Sequence, residues 1–534
     1  MKRFNVTGNC IPEEDYMVDI SGKIAQIKEI IDMRYYFTIN RARQYGKTTT
    51  LATLEKAIED EYTVVSISFQ GLGDNSFASD ENFCATFIRL VVRMLKITGV
   101  ESEYIEKWND KSVNDFDLLD EHITNMCKNR KIVLMIDEVD QASNNRVFLH
   151  FLGMLREKYI SRRNGKDYTF QSVILAGVYD IKTMKVKMMS EGTHTPSATE
   201  NKLYNSPWNI AVNFNIDMSF SSAEITTMLN EYESEHSTGM DIPAIAQKIY
   251  DYTSGYPFLV SRMCQCIDEE LNTKNHQITN NKIFRDKNWT VDGVEKAFNI
   301  MLEESNTLFD DMFKNIRNNQ ELRDLLYDIL FVGKTIPFST DNAVINLGHM
   351  YGFLKNSDGK TKVSNKVFEM RIYNYFVLEN IISSRYSLSG VKTEVTRGGL
   401  FNMQLCLEKF LEHYTELTAK KDMIFVERHG ALLFLSYLKP LINGEGFYHI
   451  EPQTSDFRMD IVVDYGREQF IVELKIWRGE QYEQSAYSQI ANYIRLKHID
   501  KGYLLTFDLR KGAKKEQKAE WVQYEDKQIF DVRV

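Results

Sequence analysis

Apolar positions in the first third of the chain come in short β-rich runs separated by stretches with helical spacing. Residues 35–40 (YYFTIN) form one run, a polar loop follows, and in 51–62 Leu51, Leu54, Ala57 and Ile58 recur at helical intervals. The pattern predicts strand, loop, helix. Three more β-rich runs, 62–69, 131–138 and 172–179, are separated by helical patterns such as 81–99 (ENFCATFIRLVVRMLKITG). Such alternation implies a parallel sheet covered on both faces. From about Ser221 the pattern turns helical, through 221–236 and 242–271, and reads as a small lid. Residues 320–332 and 341–354 predict two further helices, and 353–365 a hairpin turning at Asp358 and Gly359. Helix, helix, hairpin suggests a winged helix. Residues 387–399 are small and polar and form the best candidate for an interdomain boundary. Beyond them a helix from about Gly399 to Ala419, strands in 461–465 and 469–477, a helix in 486–499 and a strand in 501–509 predict a second α/β domain. There is no internal repeat and no low-complexity tract.

At 534 residues the chain exceeds one hydrophobic core, and about three units are expected. No run approaches the ~18 apolar residues that a membrane span needs, and the start MKRFNVTGNCIPEEDY lacks the apolar centre of a signal peptide. A cytoplasmic protein is expected, with no membrane partner. Cys10, Cys84, Cys127, Cys264, Cys266 and Cys406 show no CxxC spacing, so neither a zinc site nor a disulfide framework is indicated. The net charge of −10 opposes non-specific DNA binding, so any nucleic-acid surface must be local.

Chemistry is concentrated in two places. Gly46, Lys47 and Thr48 form the GK[ST] end of a phosphate loop between a predicted strand and helix, although Arg41 stands where the first glycine would be. A GKT triplet alone is common. The run KIVLMIDEVD supplies the second half, because Asp137 and Glu138 emerge at the carboxyl end of a buried strand, where such sheets bind ligands. With ATP as ligand, Arg43, Gln44, Tyr45, Gly46, Lys47, Thr48 and Thr49 would cradle the phosphates. Thr48 and Asp137 would hold Mg²⁺, and Glu138 would orient or deprotonate the attacking water.

The loop 40–51 (NRARQYGKTTTL), the DEVD strand end, 206–211 (SPWNIA) and 253–264 (TSGYPFLVSRMC) together resemble the AAA-like ATPases related to the STAND and archaeal ATPase group, over roughly residues 10–290. The resemblance implies an Asn-x-Arg-Gln type of loop in place of the glycine-rich one, and a lid Gly-x-Pro, here Gly255 and Pro257, that contacts the nucleotide. It identifies no arginine finger among Arg156, Arg162 and Arg163.

The second place is FIVELKIW. Alternate strand residues share a face, so Glu473 and Lys475 project to one side and Leu474 to the other. The preceding strand, MDIVVDY, begins near Asp460, as a hairpin partner would require. Gln489 and Tyr493 are four apart on one helical face, and Glu427 precedes the helical run HGALLFLSYL. This order resembles RecB-like PD-(D/E)XK nucleases over about residues 400–510, with Met459 in place of the usual proline. The resemblance implies that Asp460, Glu473 and the Leu474 carbonyl bind Mg²⁺, that Glu427 assists, that Lys475 positions or activates water, and that Gln489 and Tyr493 hold the site or the DNA. Lys511, Lys514, Lys515 and Lys518 form a run that could follow a DNA backbone or simply face solvent.

The expected architecture is therefore multidomain α/β: a P-loop ATPase core over 1–218, a helical lid over 219–300, a winged-helix-like domain over 301–386 and a restriction-endonuclease-like α/β domain over 395–534. The expected function is an ATP-regulated nuclease acting on nucleic acid, DNA first, with a homo-oligomer as an open further partner. The alternatives are an ATPase switch whose C-terminal domain binds without cutting, and a transcriptional regulator. The latter is disfavoured because 341–354 carries no arginine.

Overall fold

Four short strands, β1 (Phe37–Asn40), β2 (Thr63–Ser68), β3 (Ile132–Asp137) and β4 (Ser172–Gly177), pair in the order β1-β4-β3-β2, and every pairing is parallel. The structure is a computed structural model that describes residues 2–142, 146–178, 208–271, 288–331, 334–383, 389–420, 423–442, 446–453, 458–477, 480–508 and 517–534. β3 and β4 are buried along their whole length, because helices lie on both faces. Val133 and Met135 of β3 pack with Ile24, Ile27 and Ile31 of α1 (Ser21–Asp32) and with Leu51, Leu54 and Ile58 of α2 (Lys47–Ile58). Ile132, Leu134 and Ile136 turn to the other face, against α3 (Asp80–Ile97), α4 (Ser102–Trp108), α5 (Phe116–Cys127) and α6 (Arg146–Arg163). Period-two alternation in one strand thus serves two cores.

The helices Ser222–His236, Ile242–Thr253, Pro257–Gln265 and Val291–Glu303, with a π-helical turn at Cys266–Glu270, occupy the segment read from the sequence as a lid. The first is fixed by a capping box in which Ser221 and Glu224 satisfy each other's backbone N–H. Helices Thr307–Asn318, Gln320–Leu330 and Ala343–Met350 follow, then the hairpin β5 (Leu354–Ser357) and β6 (Lys360–Val363). Asp358 (φ 52°) and Gly359 (φ 77°) both take the left-handed backbone that a two-residue hairpin turn needs.

The chain forms two compact units, 1–312 with 347–354, and 313–346 with 355–534. The second contains a six-stranded mixed sheet of β7 (Gly446–Gln453), β8 (Arg458–Tyr465), β9 (Glu468–Ile476), β10 (Lys501–Phe507), β11 (Lys518–Tyr524) and β12 (Lys527–Arg533), in the order β11-β12-β10-β9-β8-β7. β10 runs parallel to β9 and β12, and the other pairs are antiparallel. On one face Val462, Ile471, Leu504 and Ile529 meet Ala486, Tyr487, Ile490 and Ile494 of helix Glu480–Leu496. On the other, Phe401 packs on Tyr465 and Phe470 and Tyr414 on Phe507.

Three features differ from the sequence reading. Residues 389–395 form a helix within the second unit, with Val395 fully buried, since the alternation of small and polar residues there still offers one apolar contact. The helix read as starting after Glu427 begins at Met423. Strands β7, β11 and β12 were not anticipated, because each mixes charged and polar residues into its run. Cys84, Cys127, Cys264, Cys266 and Cys406 are buried free thiols, and Cys10 is half-buried. Among the described residues no helix is long and apolar enough to cross a membrane.

Candidate functional site

Strand β1 delivers the chain into residues 41–46, where Gln44 (φ 56°) and Gly46 (φ 76°) take the left-handed backbone typical of anion-binding nests. Lys47 opens α2 and is only 7% exposed. Its Nζ donates to the carbonyls of Arg41 (3.0 Å) and Ala42 (2.9 Å), so the ammonium is folded into its own loop. Burial holds it below the ordinary lysine range, opposed by Glu138, Asp140 and Asp137. Arg41 is structural: its guanidinium donates to the carbonyls of Asn40 and Ile216, both at 2.8 Å, and lies over Phe214.

The carboxylates arrive from β3, on the far side of β4 from β1. Thr48 Oγ1 donates to Asp137 Oδ2 at 2.8 Å, and Asp137 Oδ1 accepts the Glu138 N–H at 2.9 Å. Glu138 has φ 54°, a left-handed backbone that costs a side-chain-bearing residue about 1 kcal/mol or more. Burial pushes its carboxyl above the usual carboxylate range; Lys47 opposes the rise and Asp137 adds to it.

Beside the loop lies a cavity of about 630 Å³, a size suited to a small-molecule ligand. Gln44, Tyr45, Gly46, Thr49 and Thr50 line one side, and Pro257, Phe258 and Arg262 of helix Pro257–Gln265 another. A side chain at Gly46 would stand 3.8 Å from Pro257. Gly255 does not line the cavity: with φ +70°, it accepts the Phe220 N–H (2.8 Å), and a Cβ there would fall 1.8 Å from the Phe220 carbonyl oxygen. Tyr256 donates to the Arg43 carbonyl and meets Tyr45 edge-on. Arg43 pairs with Asp311 (2.8 Å), and Gln44 donates to Thr307 (3.0 Å). Of the arginine-finger candidates, Arg162 is committed to the carbonyls of Arg34, Phe170 and Gln171. Trp208 is buried against Tyr36, while Ser206 and Pro207 lie outside the described residues.

In the second unit Glu473 is 3% exposed. Its Oε1 lies 2.9 Å from Lys475 Nζ, which also donates to Gln489 Oε1 at 2.8 Å. Strand, adjacent strand residue and helix therefore converge. Asp460 is the direct register partner of Glu473 across β8 and β9, and cross-strand partners share a face. Leu474 is buried on the opposite face. Tyr493 packs against the apolar cluster under its helix, with Lys497 Nζ 5.8 Å from its ring. The side chains of Glu427 and Asp460 lie outside the described residues, as do Lys511, Lys514 and Lys515. Lys518 is bound to Asp531 (3.0 Å), Glu520 (3.1 Å) and Glu483 (3.5 Å).

A family model described as AAA-like domain matches residues 16–327, more than half of the chain. The chain belongs to the AAA-like domain family. A second model, the PD-(D/E)XK nuclease superfamily, matches 446–519 of this AAA-like protein, from the first residue of β7. Among solved structures, the Walker-type ATPase PABY2304 of Pyrococcus abyssi is similar at 12% identity, covering 69% of this chain and 99% of that one, with a TM-score of 0.44. The ORC2 protein of Aeropyrum pernix is similar at 13% identity, covering 72% and 99%, with a TM-score of 0.35. No curated protein matches significantly.

Several residues of the AAA-like site were not found by sequence reasoning. Asn5, Val6, Thr7, Gly8 and Cys10 line the cavity, as do Glu304, Ser305, Asn306 and Thr307. Neither segment has periodicity or a motif to mark it. Asp140 accepts the Val178 N–H at 2.6 Å and sits where a side chain at Gly177 would be, tying β4 to the end of β3. Its place in DEVD was the available signal.

Proposed function

We propose that this AAA-like protein binds and hydrolyses ATP and that the nucleotide state controls a metal-dependent nuclease in its C-terminal domain. Lys47 and the loop Arg43, Gln44, Tyr45, Gly46 and Thr49 bind the phosphates, Pro257 closes over the loop, and Gly255 shapes the lid turn beside it. The hydroxyl and carboxylate donors of Thr48 and Asp137 suit a hard cation and would hold Mg²⁺, which neutralises phosphate charge when bound. Glu138 orients the attacking water and accepts its proton. In the C-terminal domain Asp460, Glu473 and the Leu474 carbonyl form an all-oxygen donor set that fits Mg²⁺. Lys475 places its ammonium beside the water or the developing phosphate charge, Gln489 holds that ammonium, and Glu427 and Tyr493 support the site. We assign the ATPase core to 1–218, the lid to 219–300, a winged-helix-like domain to 301–386 and the nuclease-like domain to 395–534, in a cytoplasmic protein acting on DNA.

The observation that carries the nuclease reading is the contact of buried Glu473 with half-buried Lys475 and Gln489, opposite Asp460 in register. Burying such a pair costs several kcal/mol per ion before the contact and its hydrogen bonds offset it, which favours a functional reason for keeping it. A second reading rests on the same pair: an ammonium 2.9 Å from Glu473 occupies a carboxylate that a metal needs, as in a domain that binds nucleic acid or protein without cutting. Incubating the purified protein with plasmid and Mg²⁺, with and without ATP, separates the two. Metal-dependent cutting that ATP changes is expected. Failure to cut single- or double-stranded DNA or RNA under every nucleotide and metal condition, with ATP still hydrolysed, leaves the binding module.

A further inference from the structure

Two consecutive side chains of the phosphate loop reach the same helix. Arg43 Nη1 donates to Asp311 Oδ2 at 2.8 Å, and Gln44 Nε2 donates to Thr307 Oγ1 at 3.0 Å. Thr307 and Asp311 stand four apart in helix Thr307–Asn318 and so share one of its faces. Asn306 fixes the helix start, its side-chain oxygen accepting the Phe309 N–H at 3.0 Å. Residues 304–307 also line the cavity beside the loop. Loop and cavity therefore meet the same turn of one helix.

This contact works against phosphate binding. A guanidinium spent on Asp311 is withheld from a nucleotide, and phosphate oxygens offer it more charge than one carboxylate does. The Asp311 carboxylate, once freed, is left beside a polyanion and repelled by it. The contact is weak enough for a ligand to reverse, since the Arg43 and Asp311 side chains are 70% and 36% exposed. Gln44 Oε1 is buried with no hydrogen-bond partner among the described residues, which destabilises the second half of the contact. The helix also straddles the division of the chain: 307–312 belong to the first unit, and 313–318 to the second, where Phe313 stacks on Tyr375 at 4.9 Å.

We propose that the pairing of Arg43 and Gln44 with helix Thr307–Asn318 is an autoinhibitory contact that ATP breaks by taking Arg43. The start of this helix is then the nucleotide sensor of the phosphate loop. This rests on the reading of Arg43 as a phosphate ligand. Full-length protein carrying Glu138→Gln, so that hydrolysis is slow, is titrated by calorimetry with ATP and with ADP in the presence of Mg²⁺. Asp311→Asn should tighten ATP binding about threefold and ADP binding less, and the gain should shrink as salt is raised. The gain should largely vanish in the Arg43→Ala background, where no guanidinium remains to be released. Thr307→Val, which removes the acceptor of Gln44, should act in the same direction as Asp311→Asn. ATP should also speed amide hydrogen exchange over 307–312. Unchanged or weaker ATP binding by Asp311→Asn at a wild-type unfolding midpoint overturns the proposal, because Asp311 then merely positions Arg43 or does nothing for it. Equal gains with and without Arg43, or exchange over 307–312 that ATP leaves unaltered, overturn it as well. Absence of ATP binding with Arg43, Thr307 and Asp311 all in place removes the ATP-site reading itself.

Discussion

Lys47 satisfies its ammonium on two backbone carbonyls of its own loop, so the charge is held in place before any phosphate arrives. Removing it deprives those carbonyls of this donor and the loop of its cation. Lys47→Ala should therefore abolish ATP binding, as measured by titration of a fluorescent ATP analogue. Glu138→Gln should bind the analogue normally but turn over ATP at least a hundredfold more slowly. Glu138 works as a base only when ionised, and burial raises its pKa. On acidification the ATPase rate should thus fall at a higher pH than for an ordinary glutamate, and the Glu138→Gln residual rate should lack that fall. In the second unit, Asp460→Ala and Glu473→Ala should lose metal affinity and cutting together. Lys475→Ala should keep metal binding and lose cutting, and calorimetry beside a cleavage assay distinguishes the two classes.

At the scale of elements, Gly255 is a position where one methyl group is enough to disturb a turn. A Cβ there falls 1.8 Å from the Phe220 carbonyl oxygen, on a backbone with positive φ, so the lid turn must open. Gly255→Ala should destabilise by more than about 1 kcal/mol and raise the nucleotide Kd, seen as a lower unfolding midpoint that ATP no longer restores. Ser221→Ala removes one half of the capping box and should cost about 1 kcal/mol without touching the phosphate loop. The elements that were legible in the sequence are those whose burial follows one rule. β3 and β4 are buried throughout and read as apolar runs, and Glu473 and Lys475 stood out because charges in such a run are anomalous. β12 stayed hidden because its buried face carries Asp531 and Arg533, which are paired with Lys518, Tyr487 and Glu483. No sequence rule announces that pairing in advance. The cavity wall at 5–10 was equally illegible, since spatial neighbours across the lid leave no periodic trace.

For the whole molecule, each candidate site lies within its own compact unit with its own core. Asp460→Ala, Glu473→Ala and Lys475→Ala should therefore retain wild-type ATP turnover in a phosphate-release assay, and loss of ATPase activity in all three would contradict the separation. The order of strands adds a different consequence. β12 follows β11 in the chain yet lies not at the sheet's margin but between β10 and β11, and β10 carries the neighbour of Glu473. The β8–β9 hairpin can form as soon as it is made, yet its sheet lacks an interior strand until residues 527–533 arrive. Assembly of this sheet then waits on residues 527–533, and a chain clipped after Asp526 should bind ATP while failing to complete the sheet that carries Glu473.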